Sequence, residues 1–209
     1  MGTQLKHFCD LETEKYLKRR QAILRNRLTV CKFENIAEFV AKNSKVLDIG
    51  CRDGILASFS PAEFFGIDLS LKALSLAKRW QSVAVADAHF LPFKDESFDA
   101  CVMSEILEHL MDPQKTMDEV RRVLRNQGEL IALVPNDRTF LVARLVMGRL
   151  KEATRNRGHL HDLTPRRLRV LLEKCGFMIT RIRYLPIRKL PYQLNFFLVC
   201  KAQKSSRQI

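Results

Sequence analysis

The chain has 209 residues, 46% of them hydrophobic, with 8 Gly and 7 Pro. That is enough for one well-buried domain and short of what two usually need, and it excludes collagen-like and low-complexity chains. The net charge of +13 is uneven: residues 1–137 hold 19 Lys/Arg against 20 Asp/Glu, and residues 138–209 hold 17 against 3, so the positive field belongs where a substrate or partner docks.

Six cysteines without a C-x-x-C or any paired spacing argue against a disulfide frame or a zinc site and for reduced thiols in a cytoplasmic protein. No metal is expected. The N-terminus lacks a signal peptide's apolar core, and no apolar run approaches the ~18 residues that span a bilayer. The expectation is a cytoplasmic protein, at most peripheral at a membrane.

Leu11 to Val30 reads as a basic helix and Phe33 to Ala41 as a second one, together covering an edge of the substrate site as an N-terminal unit over 1–44. Val46 to Gly54, V-L-D-I-G-C-R-D-G, is an apolar strand ending in Asp48, a glycine turn, and a helical stretch from Gly54 to Phe59. Such an order hands a ligand to a nest of backbone amides, with Gly50 permitting the turn and Gly54 close approach. Phe64 to Ser70 is a second strand, ending in Asp68, 18 residues beyond Gly50. A carboxylate at that place can accept both ribose hydroxyls of a nucleoside. Ser70 caps a helix over Leu71 to Trp80, whose Leu71, Leu74, Ala77 and Trp80 read as core. Val83 to Pro92 is a third strand tipped by Asp87, positioned for an adenine amino group, with the Ala88 amide near a ring nitrogen.

Phe98 to Met103 is the next strand. The loop Ser104 to Leu110 holds Glu105, Glu108 and His109, with Glu108 expected as a solvated helix residue. Asp112-Pro113 starts a helix that Gly128 stops, and Glu129 to Val134 forms a fifth strand ending at Pro135-Asn136. Arg138 to Lys151 is mostly apolar yet carries Arg144 and Arg149, as in a lid or interfacial helix whose long Arg stems lie on apolar surface. A basic loop over Ala153 to His159 follows. Thr164-Pro165 opens a helix ending at Cys175-Gly176, and Phe177 to Tyr184 and Leu194 to Lys201 are the last two strands, joined by a loop with Pro186 and Pro191. The tail, residues 204–209, reads as disordered.

On D-I-G-C-R-D-G, G-I-D-L-S, A-D-A-H-F-L-P-F, F-D-A-C-V-M-S-E-I-L-E-H-L, L-V-P-N and H-L-H-D-L-T with C-G-F, the chain resembles the class I S-adenosylmethionine-dependent methyltransferases, in the broad methyltransferase type 11-like group acting on small molecules and lipids. The resemblance runs from about Lys45 to Cys200. It implies an α/β, Rossmann-like seven-stranded sheet of order 3-2-1-4-5-7-6 with the last strand antiparallel and helices on both faces. A domain over 45–203 would carry a helical lid insertion at about 138–162. The implied cofactor is S-adenosylmethionine, held by Asp48, Gly50, Cys51, Arg52, Gly54, Asp68, Leu69, Asp87, Ala88, Met103 and Ser104. Arg52 stands where the family's middle glycine is common.

Methyl transfer from a sulfonium is a direct displacement in which alignment and exclusion of water do most of the work. Where the acceptor is a hydroxyl, a histidine near neutrality removes its proton, and His109, His159 and His161 are the candidates. Glu105, His109, Asn136, His159 and His161 are the expected substrate-pocket residues. The acceptor expected is a small anionic or amphipathic compound, lipid-linked compounds included, with an anionic membrane as docking surface. The rival readings are an RNA acceptor on the basic last third and a non-catalytic cofactor-binding partner subunit. No N-P-P-Y-type tetrad follows the fourth strand and aromatic residues are sparse in the basic third, which disfavours RNA.

Overall fold

The computed structural model describes residues 25–146, 158–186 and 195–205, with Glu14, Lys18, Gln21 and Ala22. Strands β1 (Lys45–Ile49), β2 (Glu63–Asp68), β3 (Ser82–Val85), β4 (Phe98–Ser104), β5 (Leu124–Pro135), β6 (Phe177–Leu185) and β7 (Phe197–Lys204) form a seven-stranded sheet in the order β3-β2-β1-β4-β5-β7-β6. The first five are parallel, and β7 runs antiparallel to both β5 and β6. Among the described residues these helices accompany them: α1 (Arg27–Ala37), α2 (Leu71–Ala77), α3 (Pro113–Val123), α4 (Asp137–Val146) and α5 (Pro165–Lys174).

The sheet is covered on both faces, so its central strands read as unbroken apolar runs. Successive side chains alternate between faces. Leu47, Ile49, Cys101, Met103, Leu130 and Ala132 pack with Met117, Val120 and Val123 of α3 and Leu168 and Leu172 of α5. Val46, Ala100, Val102, Ile131 and Leu133 pack with Ile36 of α1 and the following Phe39. β1 has β2 on one side and β4 on the other, so the strand order reverses there. A crevice opens at the carboxyl ends of strands at such a switch point, and ligands bind in it.

Local chemistry sets several boundaries that periodicity misses. Asn26 accepts from the Leu28 amide at 2.8 Å, starting α1 inside the helix expected from Leu11 to Val30, and α1 ends at Ala37 before the expected Ala41. The helical stretch expected from Gly54 to Phe59 is a short 3-10 helix, Ile55–Phe59, with Gly54 at its start. α2 stops at Ala77, so of the expected core stripe only Leu74 and Ala77 are buried, while Leu71 and Trp80 are exposed. β3 stops at Val85, leaving Asp87 in the turn beyond. α3 ends at Val123 because Leu124 turns extended and pairs with Phe98, so β5 begins four residues before Gly128. β7 runs to Lys204, and the Ser205 amide donates to Gly176 O at 2.9 Å. The expected disordered tail therefore does not hold at Lys204 and Ser205. Leu194 and Pro191, and residues 147–157 of the expected lid and basic loop, lie outside the described residues.

Candidate active site

Around Asp48 the structure concentrates carboxylates. Asp48 is 3% exposed, and burial pushes its carboxyl up to about 7, with the charges of Asp68 and Asp53 raising it further and the adjacent Gln81 amide opposing them. That amide is itself buried. Asp68, at the end of β2, is raised above the ordinary carboxylate range by burial, against hydrogen bonds from Ser70 N at 2.8 Å and Arg52 N at 3.0 Å.

The glycine turn is not the open amide nest expected from the sequence. Gly50 and Cys51 N–H both donate to Ile67 O (2.8 and 2.9 Å), Arg52 N–H to Asp68, and Gly54 N–H to Cys51 O at 2.9 Å. These amides brace β1 against β2. Gly50 is needed for another reason: its φ is +72°, and a Cβ there would lie 2.4 Å from Ile106 Cδ1. Arg52 takes φ 50°, the left-handed region where a glycine is cheaper. Its positive charge is felt by both Asp68 and His109.

Asp87 Oδ1 accepts from His89 N (2.9 Å) and His89 Nδ1 (2.6 Å), while His89 Nε2 takes the Asp112 amide at 3.3 Å. His89 thus orients Asp87, a role the sequence reading missed. The same turn is fastened to α3: Glu119 accepts from Leu91 N at 2.7 Å, and Arg122 donates to Leu91 O, Phe93 O, Asp95 and Glu119. Ala88, Cys51 and Met103 are buried, and Leu69 and Ser104 are half-buried.

On the other side of the crevice the loop after β4 differs from expectation. Glu108 is 1% exposed rather than solvated, because the short turn Leu107–His109 folds it inward under residues 158–161, where its backbone oxygen accepts from Leu160 N (2.7 Å) and His161 N (3.2 Å). Neither carboxylate oxygen has a hydrogen-bond partner among the described residues, and burial pushes the group up to about 8. His109 Nδ1–H donates to Gly158 O at 2.7 Å, and burial lowers the ring's pKa. His159 Nδ1 lies 2.8 Å from Asp137 Oδ1, and its ring stands edge-on to His109 at 4.9 Å between centroids. His161 Nε2–H donates to Leu110 O at 2.9 Å.

Glu105, at φ 54°, pairs with Lys32 of α1, which brings the N-terminal segment over this edge. Asn136 is buried as a brace: its amide donates to Thr139 Oγ1 (2.6 Å) and Asn195 O (2.9 Å), and its oxygen caps α4 at Thr139 N. Phe140 anchors α4 on Phe196 and Phe197, while Leu141, Val142, Leu145 and Val146 are exposed. The basic excess is less concentrated than its sequence position implied: Arg183, Lys201 and Lys204 pair with Glu38, Glu129 and Glu96 from earlier in the chain.

These features define an α/β crevice with carboxylates at the ends of β1 and β2 and in the turn beyond β3, and a histidine-carboxylate cluster opposite. Residues 47–132 match the family described as a methyltransferase domain. The chain is 29% identical over 175 residues to a probable S-adenosylmethionine-dependent methyltransferase of Mycobacterium tuberculosis, covering 81% of this chain and 58% of that protein. It is 36% identical over 107 residues to a demethylmenaquinone methyltransferase of Thermotoga maritima, covering 46% and 47%. A solved complex of the Haloferax volcanii Trm112 methyltransferase activator with a putative methyltransferase contains a chain of the same fold (TM-score 0.73, 16% identity, 96% of this chain and 99% of that one). Residues 47–132 are thus similar to a methyltransferase domain, the fold is that of solved methyltransferases, and the relatives matched include S-adenosylmethionine-dependent methyltransferases. The chain spans about half the length of the curated relatives it matches.

Proposed function

We propose that this chain transfers the methyl group of S-adenosylmethionine to a small anionic or amphipathic acceptor by direct displacement, with the cofactor along the ends of β1, β2 and β3 and the acceptor beside His109 and His159. The observation that carries the reading is the crowding of carboxylates at the ends of β1 and β2: Asp48 is buried and raised to about 7, chiefly by that burial, with the charges of Asp68 and Asp53 adding to it. Carboxylates gathered in one buried place favour a cationic ligand, and a sulfonium with an ammonium supplies such charge. Asp68 keeps lone pairs for two ribose hydroxyls beyond those given to Arg52 and Ser70. Asp87, oriented by His89, serves the adenine edge together with the Ala88 amide. Gly50, Cys51, Arg52, Gly54, Leu69, Met103 and Ser104 complete the cofactor wall.

Bound S-adenosylmethionine supplies an already activated methyl group. The chain's own residues align the acceptor and exclude water, for which proximity contributes roughly 7–11 kcal/mol. Donation of Nδ1–H to Gly158 O and to Asp137 leaves the lone pair of each ring, His109 and His159, on Nε2, where it can hold an acceptor hydroxyl. The exposed apolar side chains of α4, on the basic last third, support an amphipathic acceptor presented at an anionic surface. A partner-dependent or non-catalytic subunit is the second reading, favoured by the similarity to the Haloferax volcanii complex.

Calorimetry with S-adenosylhomocysteine tests the cofactor assignment. Asp68→Ala should lose on the order of 1.5–3 kcal/mol of binding, and unchanged affinity would refute it. Full turnover by the chain alone would dismiss the partner reading.

A further inference from the structure

Glu108 poses a problem that cofactor binding does not solve. It lies opposite the carboxylates at the strand ends, is buried, and offers two oxygens that have no hydrogen-bond partner among the described residues. A carboxylate in that condition is costly unless a proton or a cation neutralises it. What surrounds it decides between the two. His109 Nε2 lies 4.0 Å from Glu108 Oε1, and one ligand atom each of Glu108, His109 and His159 lie within 4.8 Å of one another. Both rings are turned by a second partner in the manner of metal-bound histidines: His109 Nδ1–H by the Gly158 carbonyl, His159 Nδ1–H by the Asp137 carboxylate. Such outer contacts set the tautomer and leave Nε2 as the ligand.

We propose that Glu108, His109 and His159 bind a divalent transition-metal ion, with a remaining coordination position for an oxygen of the acceptor. Two imidazoles and one carboxylate suit zinc and metals of similar preference, and three protein ligands leave a place open on a four-coordinate ion. Neighbouring ligand atoms in a tetrahedral site stand about 3.4 Å apart, given metal–ligand bonds of about 2.0–2.1 Å. Closing from the present separations takes roughly an ångström, which His109 can supply because its side chain is 39% exposed and so not clamped by packing. Glu108 and His159 are buried on the inner side, so the open position faces the half-exposed His109 edge.

This departs from the expectation of no metal, which rested on the cysteines. The histidine and glutamate ligands come from two segments some fifty residues apart that only the fold joins. For the acceptor, which rests on the transfer reading above, the site implies a hydroxyl or enolic oxygen. An ion of this kind lowers the pKa of a bound hydroxyl toward neutrality, so the acceptor reaches the methyl group as an oxyanion and its proton passes to solvent. His109 and His159 are then ligands rather than bases.

The test is a titration of chelator-treated protein with Co2+, followed by its visible d–d absorption, with Zn2+ as competitor. One equivalent should bind with intense tetrahedral bands, Zn2+ should displace it, and Glu108→Gln, His109→Ala and His159→Ala should each weaken binding at least tenfold. Asp137→Asn should weaken it about 10- to 100-fold through the second contact on His159. Calorimetry with S-adenosylhomocysteine on the same samples reports whether each variant is folded. Cofactor binding without tetrahedral Co2+ bands, or bands that survive Glu108→Gln, would overturn the metal site and leave the transfer reading standing. Metal binding without cofactor affinity would do the reverse.

Discussion

Replacing Asp48 by Asn should flatten the pH dependence of stability. Asp48 is buried at the end of β1, and its carboxyl is raised from 3.8 to about 7, chiefly by desolvation. A folded-state pKa above the unfolded one means that the folded chain keeps a proton the unfolded chain releases. Its contribution is therefore fully present below about pH 4 and is lost as the pH rises through about 7. At about 1.36 kcal/mol per pKa unit, the loss across the whole window is on the order of 4 kcal/mol, of which roughly 2–3 falls between about pH 5 and pH 8. Asn occupies the same volume and cannot ionise. Urea unfolding of both proteins at several pH values is the assay. Wild type should lose stability relative to Asp48→Asn by roughly 2–3 kcal/mol over that interval, while Asp68, raised by the same burial, titrates in both. Parallel stability curves would mean that Asp48 is solvated or paired and that the electrostatic account of the pocket is wrong.

Gly50→Ala places a Cβ 2.4 Å from Ile106 Cδ1 at a φ of +72° and should cost roughly 1–3 kcal/mol in thermal unfolding. Adding Ile106→Ala should recover the steric share, and full additivity of the two losses would deny the contact. Arg122→Met removes the donors that hold Leu91 O and Phe93 O to α3. Because the arginine is about a third exposed, a loss of about 1–2 kcal/mol is expected, with weaker S-adenosylhomocysteine binding because the Asp87 turn loosens. Leu145→Glu on the exposed face of α4 should reduce sedimentation with anionic liposomes and weaken RNA retention only modestly. A protein that ignores anionic liposomes at low salt and retains RNA with a steep salt slope would replace the lipid reading by the nucleic-acid one.

The cofactor half of the crevice was legible in the chain because each of its parts is local. A strand, a carboxylate and a turn residue sit next to one another in sequence, so V-L-D-I-G and G-I-D announce their own geometry, and the parallel order follows from their repetition. N-caps such as Ser70, Asp112 and Thr164 were readable for the same reason: each side chain accepts from an amide three residues ahead. What the sequence could not decide depends on groups distant in the chain. Glu108 reads as a solvated helix residue until residues 158–161 close over it. His89, Gln81 and Arg122 look unremarkable until β3, α2 and α3 converge. The glycine turn looks like an amide nest until Ile67 and Asp68 consume its donors. Charge counting placed the positive excess in the last third, but antiparallel pairing returned Lys201 and Lys204 to earlier acids. Local hydrogen-bond chemistry is written in adjacent residues, whereas desolvation and long-range pairing exist only once the sheet has brought separate segments together.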